Sequence, residues 1–259
     1  MNGRLQTLLV ALVVCLIGVP MVGRQQSAAA SSPSEHAAEL DSKRVPTGPT
    51  RTAGAGSLMN ATAAHASGIS DRVLTLALRA VSCAVSSGGI RIPRTLTVID
   101  YSLPSVEERL WVFDVASGKL LFKELVAHGR NTGENLATSF SDRLNSRQSS
   151  IGLFLTGDTY VGSNGYSLRL DGLEPGFNSH ARERAIVMHG APYVNASLAR
   201  SQGRIGRSWG CPALREAIAR EVIDTIRGGG MIFSYYPDDD WLRSSRFLNC
   251  DAPSVVATS

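Results

Sequence analysis

The sequence predicts a mainly β domain with a few helices, an α+β arrangement whose strands are mostly antiparallel. Three observations carry this. Short runs of β-branched and large apolar residues recur between residues 95 and 236, and tight-turn signals such as Ser117-Gly118 and Asn164-Gly165 separate some of them. Only two stretches show a helical period, one near each end of that region. No internal repeat is evident.

Taken in order, Ser70 is placed to cap a helix carrying Val73, Leu74, Leu76, Ala77, Leu78 and Val81, which Gly88-Gly89 ends. Residues 95–100, 109–115 and 119–127 read as strands. Residues 129–150 are polar and lack periodicity, the composition of a functional or disordered loop. Strands resume at 151–155, 160–161 and 166–170, with Asn164-Gly165 as a hairpin turn. Residues 186–188 form a short apolar run ending at His189-Gly190. After Pro212 the period changes: Leu214, Ile218, Val222 and Ile226 recur every four residues. That is an amphipathic helix, with Pro212 at its permitted first position and Gly228 just past its end. Residues 231–236 supply a last strand. The tail beyond Pro237 is expected to rejoin the domain only through Cys250.

The chain has 259 residues, 43% of them hydrophobic, and a formal net charge of +4, ample for one domain with a full core. The basic balance is mild and dispersed, without the stripe that nucleic-acid binding requires. Arg4, the apolar residues 8–22 and Ala28-Ala29-Ala30 follow the order of a secretory signal, so residues 1–30 are expected to be removed on export to the periplasm or cell envelope. An uncleaved anchor is the alternative, although Pro20 interrupts a run already short for spanning. No stable membrane span is expected after cleavage. Residues 31–69, rich in Ser, Ala and Pro, read as a disordered linker, and 70–250 as the folded domain. Cleavage leaves Cys83, Cys211 and Cys250, an odd count. Cys83 is expected to pair with Cys250, near the two ends of the folded region, leaving Cys211 free.

The chemistry gathers at Cys211. A thiol at a helix N-terminus, beside Arg207 and within reach of a histidine, has its thiolate stabilised and its pKa lowered. Gly206 and Gly210 keep the approach open, and the Gly210 and Cys211 amides are candidates for an oxyanion hole. His189, at a strand end and ahead of Cys211, is the first candidate base, with a backbone carbonyl to fix its tautomer. His128-Gly129 repeats the strand–His–Gly pattern; His128 is the rival base, or anchors a loop or lines the substrate site. His180 reads as a surface residue. Ser208 supports the cysteine loop or orients His189, and Trp209 walls the acyl pocket or plugs the core. Arg130, Arg143, Arg147, Arg204 and Arg207 crowd the loops nearest the two His-Gly ends, where two or three of them are expected to hold the substrate if it carries free carboxylates. No HxH, HExxH or CxxC spacing occurs, so neither metal nor cofactor is expected.

At His189-Gly190 and Ser208-Trp209-Gly210-Cys211-Pro212-Ala213 the chain resembles the murein L,D-transpeptidase family with the YkuD-type catalytic domain. The likeness extends to Asp100-Tyr101-Ser102, Arg109-Leu110-Trp111-Val112, Val126-Ala127-His128-Gly129, Ser149-Ser150-Ile151-Gly152 and residues 167–174. These segments look like the branch whose cysteine is followed by Pro-Ala. Many members have His where Trp209 stands, and Arg shortly after the cysteine. The resemblance implies a YkuD-like β-sandwich or barrel in which Cys211 attacks a tetrapeptide stem of peptidoglycan. The terminal D-alanine leaves and the acyl group passes to an amine, as a 3-3 cross-link or D-amino-acid exchange, or to water. Gly190 and Gly210 support the pair, and carbapenems are implied to acylate Cys211. Two rivals stand beside this: a sortase-like transpeptidase with Arg215 and His128 in its site, and a peptidoglycan-binding module with an inert Cys211.

Overall fold

The computed structural model describes residues 67–250; the expected signal peptide and residues 31–66 of the expected linker lie outside the described residues. Residues 67–69, placed in the linker from the sequence, pack onto the domain. Ile69 is buried, and the Trp111 indole N–H donates to the Ser67 carbonyl at 3.2 Å.

Helix α1, Asp71–Ser86, buries Val73, Leu74, Ala77, Ala80, Val81 and Ala84, the repeat of one helical face. Ser70 takes the extended N-cap conformation, but its side chain makes no capping bond, contrary to expectation. Nine strands follow: β1 Thr95–Asp100, β2 Leu110–Asp114, β3 Leu120–Glu124, β4 Val126–Ala127, β5 Gly152–Gly162, β6 Gly165–Gly172, β7 Val187–Ala191, β8 Ala213–Arg215 and β9 Met231–Tyr235. They form one sheet in the order β3-β2-β1-β9-β5-β6-β7-β8-β4. Pairing is antiparallel except between β1 and β9 and between β7 and β8.

The sheet is covered on both faces, so its central strands are buried along their whole length. Side chains divide by parity. Leu96, Val98, Met231, Phe233 and Tyr235 join the core under α1, whereas Ile99 and Ile232 join the core under helix α3, Glu216–Ile226. That helix sends Ala219, Val222, Ile223 and Ile226 inward.

Residues 119–127, expected as one strand, are two. Leu125 separates β3, paired with β2, from β4, paired with β8, and those pairings lie at opposite ends of the strand order. The sheet therefore rolls up, and its two edges meet within one turn of chain. Across that seam Arg215 of β8 donates to both carboxylate oxygens of Glu124 in β3, at 2.8 and 2.6 Å. In the β5–β6 hairpin Gly162 pairs with Gly165, so the tip is Ser163-Asn164 and Gly165 takes the left-handed conformation, φ 70°.

Two short helices were not expected: α2, Ala196–Gln202, and α4, Asp239–Ser244. The tail is also held by more than Cys250. Trp241, Phe247 and Leu248 are buried beside α1 and β9. Glu174, after β6, accepts from the Leu153 amide at 2.8 Å, the Trp241 indole at 3.0 Å and the Ser245 hydroxyl at 2.5 Å. Cys83 and Cys250 are joined by a disulfide, and Cys211 is free.

Candidate active site

Cys211 does not sit at a helix N-terminus. Helix α3 begins at Glu216, and residues 213–215 form β8 instead, parallel to β7 and antiparallel to β4. Partner strands on both sides outweigh the four-residue period that Leu214 shares with the helix. The helix dipole therefore does not bear on the sulfur as expected, since its field falls off within the first turn.

A tight turn delivers the cysteine. The Ser208 hydroxyl donates to the Cys211 carbonyl at 2.6 Å and accepts from the Gly210 amide at 3.0 Å. It thus supports the cysteine loop, and it occupies one of the two amides expected in an oxyanion hole. Gly210, φ 128°, is required by packing: a Cβ there would lie 2.7 Å from the Gln148 carbonyl oxygen. Gly129 faces the same turn, and a Cβ on it would lie 3.0 Å from the Gly210 Cα.

Cys211 is buried, 7% exposed as a residue. Its sulfur accepts from the Val187 amide at 3.5 Å and faces the Ala185 carbonyl at 3.7 Å. Burial pushes the thiol up, opposed by the Val187 amide and by the positive charge of Arg184. That is the reverse of the lowered pKa expected from the sequence, because desolvation outweighs the favourable charges. The cation beside the sulfur is Arg184, not Arg207. Arg207 Nη1 is held by the Arg130 carbonyl at 3.1 Å, the Gly133 carbonyl at 2.9 Å and Glu134 Oε1 at 2.5 Å.

His189 lies in β7, opposite Ser167 and Ala213. Its Nδ1 is 2.8 Å from the Gly190 carbonyl oxygen, which only accepts, so Nδ1 carries the proton and Nε2 is the bare nitrogen. Burial lowers its pKa, and the bond to Gly190 opposes the shift. Gly190 itself admits α3: a Cβ there would meet Ala219 Cβ at 3.0 Å and Glu216 Cα at 3.2 Å. His189 and Cys211 line one cavity of about 700 Å³ together with Gly190, Tyr193, Arg207, Ser208, Trp209 and Glu216.

His128 does not line the cavity that holds His189 and Cys211. It is fully buried, with Nδ1 2.7 Å from Arg109 Nη2 and Nε2 3.3 Å from the Gly133 carbonyl oxygen. A guanidinium only donates, so His128 Nδ1 accepts and Nε2–H donates; the ring anchors the loop. Burial and the Arg109 charge hold its pKa down at about 4. Between that value and the ordinary 6.5 the unfolded chain binds a proton here that the folded domain refuses. Stability should therefore fall as pH drops through this window, by roughly 3 kcal/mol from this residue. Urea unfolding at pH 7 and pH 4 of wild type and His128→Gln checks it: the variant should lose less, and equal losses would assign the effect to another group.

The remaining expected residues divide. Arg204 Nε is 3.0 Å from Glu134 Oε2, so Arg204 and Arg207 share one carboxylate. Arg130 is exposed and does not line the cavity. Trp209 is 68% exposed and plugs no core; Arg147 lies over its ring at 4.6 Å. His180 is exposed, with Nδ1 2.8 Å from Asp142. Arg215 is committed to Glu124, away from the part the sortase-like reading requires. Among the described residues no group of three or more His, Cys, Asp or Glu side chains is placed to hold a metal ion. Sequence reasoning missed Arg184 and Arg109. Both are arginines next to apolar strands, and nothing local separates a buried guanidinium from an exposed one.

The chain matches the family model described as the L,D-transpeptidase catalytic domain over residues 65–235. No curated protein matches it. Among solved structures, it is similar to the LD transpeptidase LdtMt1 in complex with imipenem, at 18% identity over 55% of this chain and 59% of that one, TM-score 0.34. An L,D-transpeptidase from Mycobacterium smegmatis matches at 16% identity over 55% and 59%, TM-score 0.36. L,D-transpeptidase 3 from Mycobacterium tuberculosis matches at 13% over 56% and 62%, TM-score 0.36. The matches thus span about three fifths of these relatives' lengths. With more than half of its length matched by the family model, and a mainly β fold around a Cys–His cavity, this chain belongs to the L,D-transpeptidase catalytic-domain family.

Proposed function

We propose that the domain is a peptidoglycan L,D-transpeptidase working through a Cys211 thioester. The observation that carries this reading is the shared cavity, lined both by a free cysteine and by a histidine whose tautomer leaves Nε2 unprotonated. The resting pair is neutral thiol and neutral imidazole, since burial raises the one pKa and lowers the other. In the first step Cys211 Sγ attacks the carbonyl of the L-centre of diaminopimelate in a tetrapeptide stem, while its proton passes to His189 Nε2. The tetrahedral adduct collapses, the C–N bond to the terminal D-alanine breaks, and His189 returns the proton to the leaving amine. An amine of a second stem, a D-amino acid or water then attacks the thioester and regenerates the thiol. Carbapenems enter by the same attack, opening the β-lactam onto Cys211. Such substrates place the enzyme in the cell envelope after export, and among the described residues no helix is long and apolar enough to cross a membrane.

The test is incubation of the mature domain with purified disaccharide-tetrapeptide, followed by mass. Loss of D-alanine with dimer formation supports transpeptidation. Tripeptide alone identifies an L,D-carboxypeptidase, and cleavage of added 3-3 dimers an endopeptidase. No turnover with an inert thiol leaves a peptidoglycan-binding module.

The rate should carry the histidine's signature. His189 must be neutral to take the thiol proton, and its pKa lies below 6.5, so the acid limb of kcat/KM should have its midpoint below pH 6.5 and rise with pH. His189→Gln should remove that limb along with most of the rate. A midpoint above pH 7 in wild type would assign the limb to another group.

A further inference from the structure

Arg184 is an unusual residue to bury. Its side chain is 3% exposed, yet its hydrogen-bond partners are neutral. Nη1 donates to the Ser141 carbonyl at 2.6 Å and the Ser150 hydroxyl at 2.5 Å; Nη2 donates to the Gln148 carbonyl at 2.6 Å and the Ser146 hydroxyl at 3.0 Å. The nearest carboxylate, Asp142, stands at 4.0 Å, and its oxygens already accept from the His180 amide and ring and the Ser179 hydroxyl. A desolvated cation without a hydrogen-bonded counter-charge is costly, so its field is available to whatever lies next to it.

What lies next to it is the nucleophile. A Cβ on Gly210 would be 3.4 Å from Arg184 Nη2. The residues that follow Arg184 wrap the sulfur: the Ala185 carbonyl and the Val187 amide both face it. Ala185 is held at φ 53°, a left-handed conformation that costs a non-glycine residue energy. The loop that Arg184 gathers meets the same turn, since the Ser149 hydroxyl donates to the Gly210 carbonyl at 3.1 Å.

We propose that Arg184 is the positioning residue of the nucleophile: its buried guanidinium pins the 141–150 loop onto the cysteine turn and is the fixed positive charge beside which the Cys211 thiolate forms. This rests on the reading of Cys211 as nucleophile. The other ionisable groups around the sulfur do not supply that charge. Burial raises Tyr101 and Tyr193 to about 12, so both are neutral at working pH, and His189 is held neutral. Arg207 and Glu216 share only the cavity wall, and Arg207 is paired with Glu134.

The experiment is alkylation of Cys211 by iodoacetamide against pH, without substrate, in wild type, Arg184→Lys and Arg184→Met, each checked for folding by circular dichroism. The Met variant should move the inflection up by about one pH unit or more. The Lys variant keeps the charge and should restore the inflection while losing stability, because an ammonium cannot reproduce four forked contacts. A merely structural role would lower stability in both and move neither profile. Should the Met variant not fold, Asp142→Asn removes the carboxylate nearest the guanidinium and should move the inflection down. An unmoved profile in a folded variant overturns the proposal. Wild type that alkylates as expected but releases no D-alanine overturns the proposed reaction and leaves this inference standing.

Discussion

Cys211→Ala is expected to abolish D-alanine release, a loss of at least about 10⁴-fold, because the proposed reaction runs through a thioester on Cys211, the one free thiol among the described residues. The same variant should show no mass increase after incubation with imipenem, whereas wild type should gain the mass of the ring-opened drug. The substitution removes one buried sulfur, so the fold should survive and the loss should be chemical. The fate of His189 makes the result informative. A neutral imidazole with a bare Nε2 can still take a proton from water, so slow Cys211-independent hydrolysis by the variant would relocate the chemistry to a water route. Retained D-alanine release at near wild-type rate would sink the thioester mechanism altogether.

Removing the disulfide should produce the largest change in stability. Cys83 and Cys250 are 167 residues apart, and closing a loop of that size restricts the unfolded chain by about 5 kcal/mol in the chain-entropy treatment. The native state should persist without it, since Trp241 and Phe247 remain buried and Glu174 still ties Trp241 and Ser245 to β5. The expected result for the Cys83→Ser, Cys250→Ser double variant is therefore a folded domain with a much lower urea midpoint and an intact cavity around Cys211 and His189. A midpoint lowered by less than about 1 kcal/mol in free energy would mean that the unfolded chain is restricted in some other way.

Much of the domain was legible residue by residue. Strand runs such as Thr95–Asp100 and Met231–Tyr235 announce themselves because burial on both faces demands an unbroken apolar stretch. Helix α1 is visible in its period; for α3 the four-residue period found Val222 and Ile226 of the inward face but not Ala219 or Ile223, and it ran back into β8 at Leu214. That His189 and Cys211 share a cavity was legible from two short motifs, a histidine in an apolar strand run and a cysteine turn built on Ser208 and Gly210, although β7 runs on past His189 to Ala191 instead of ending there. The division of residues 119–127 at Leu125 was not, since nothing in that run marks the residue where the chain changes sheet edge.

By itself, then, the sequence determined the class of fold and the family, and it named Cys211 and His189, which line one cavity. Tertiary structure decided the rest. It gave residues 213–215 strand partners on both sides and so kept the helix dipole away from the sulfur. It buried His128 against Arg109, nineteen residues away, and committed Arg204 and Arg207 to Glu134. It set Arg184 beside Cys211 and desolvated the thiol enough to reverse the direction of its pKa. The physical reason is common to all of these. Periodicity and turn chemistry act between neighbours along the chain, whereas desolvation and charge depend on groups that only folding brings together.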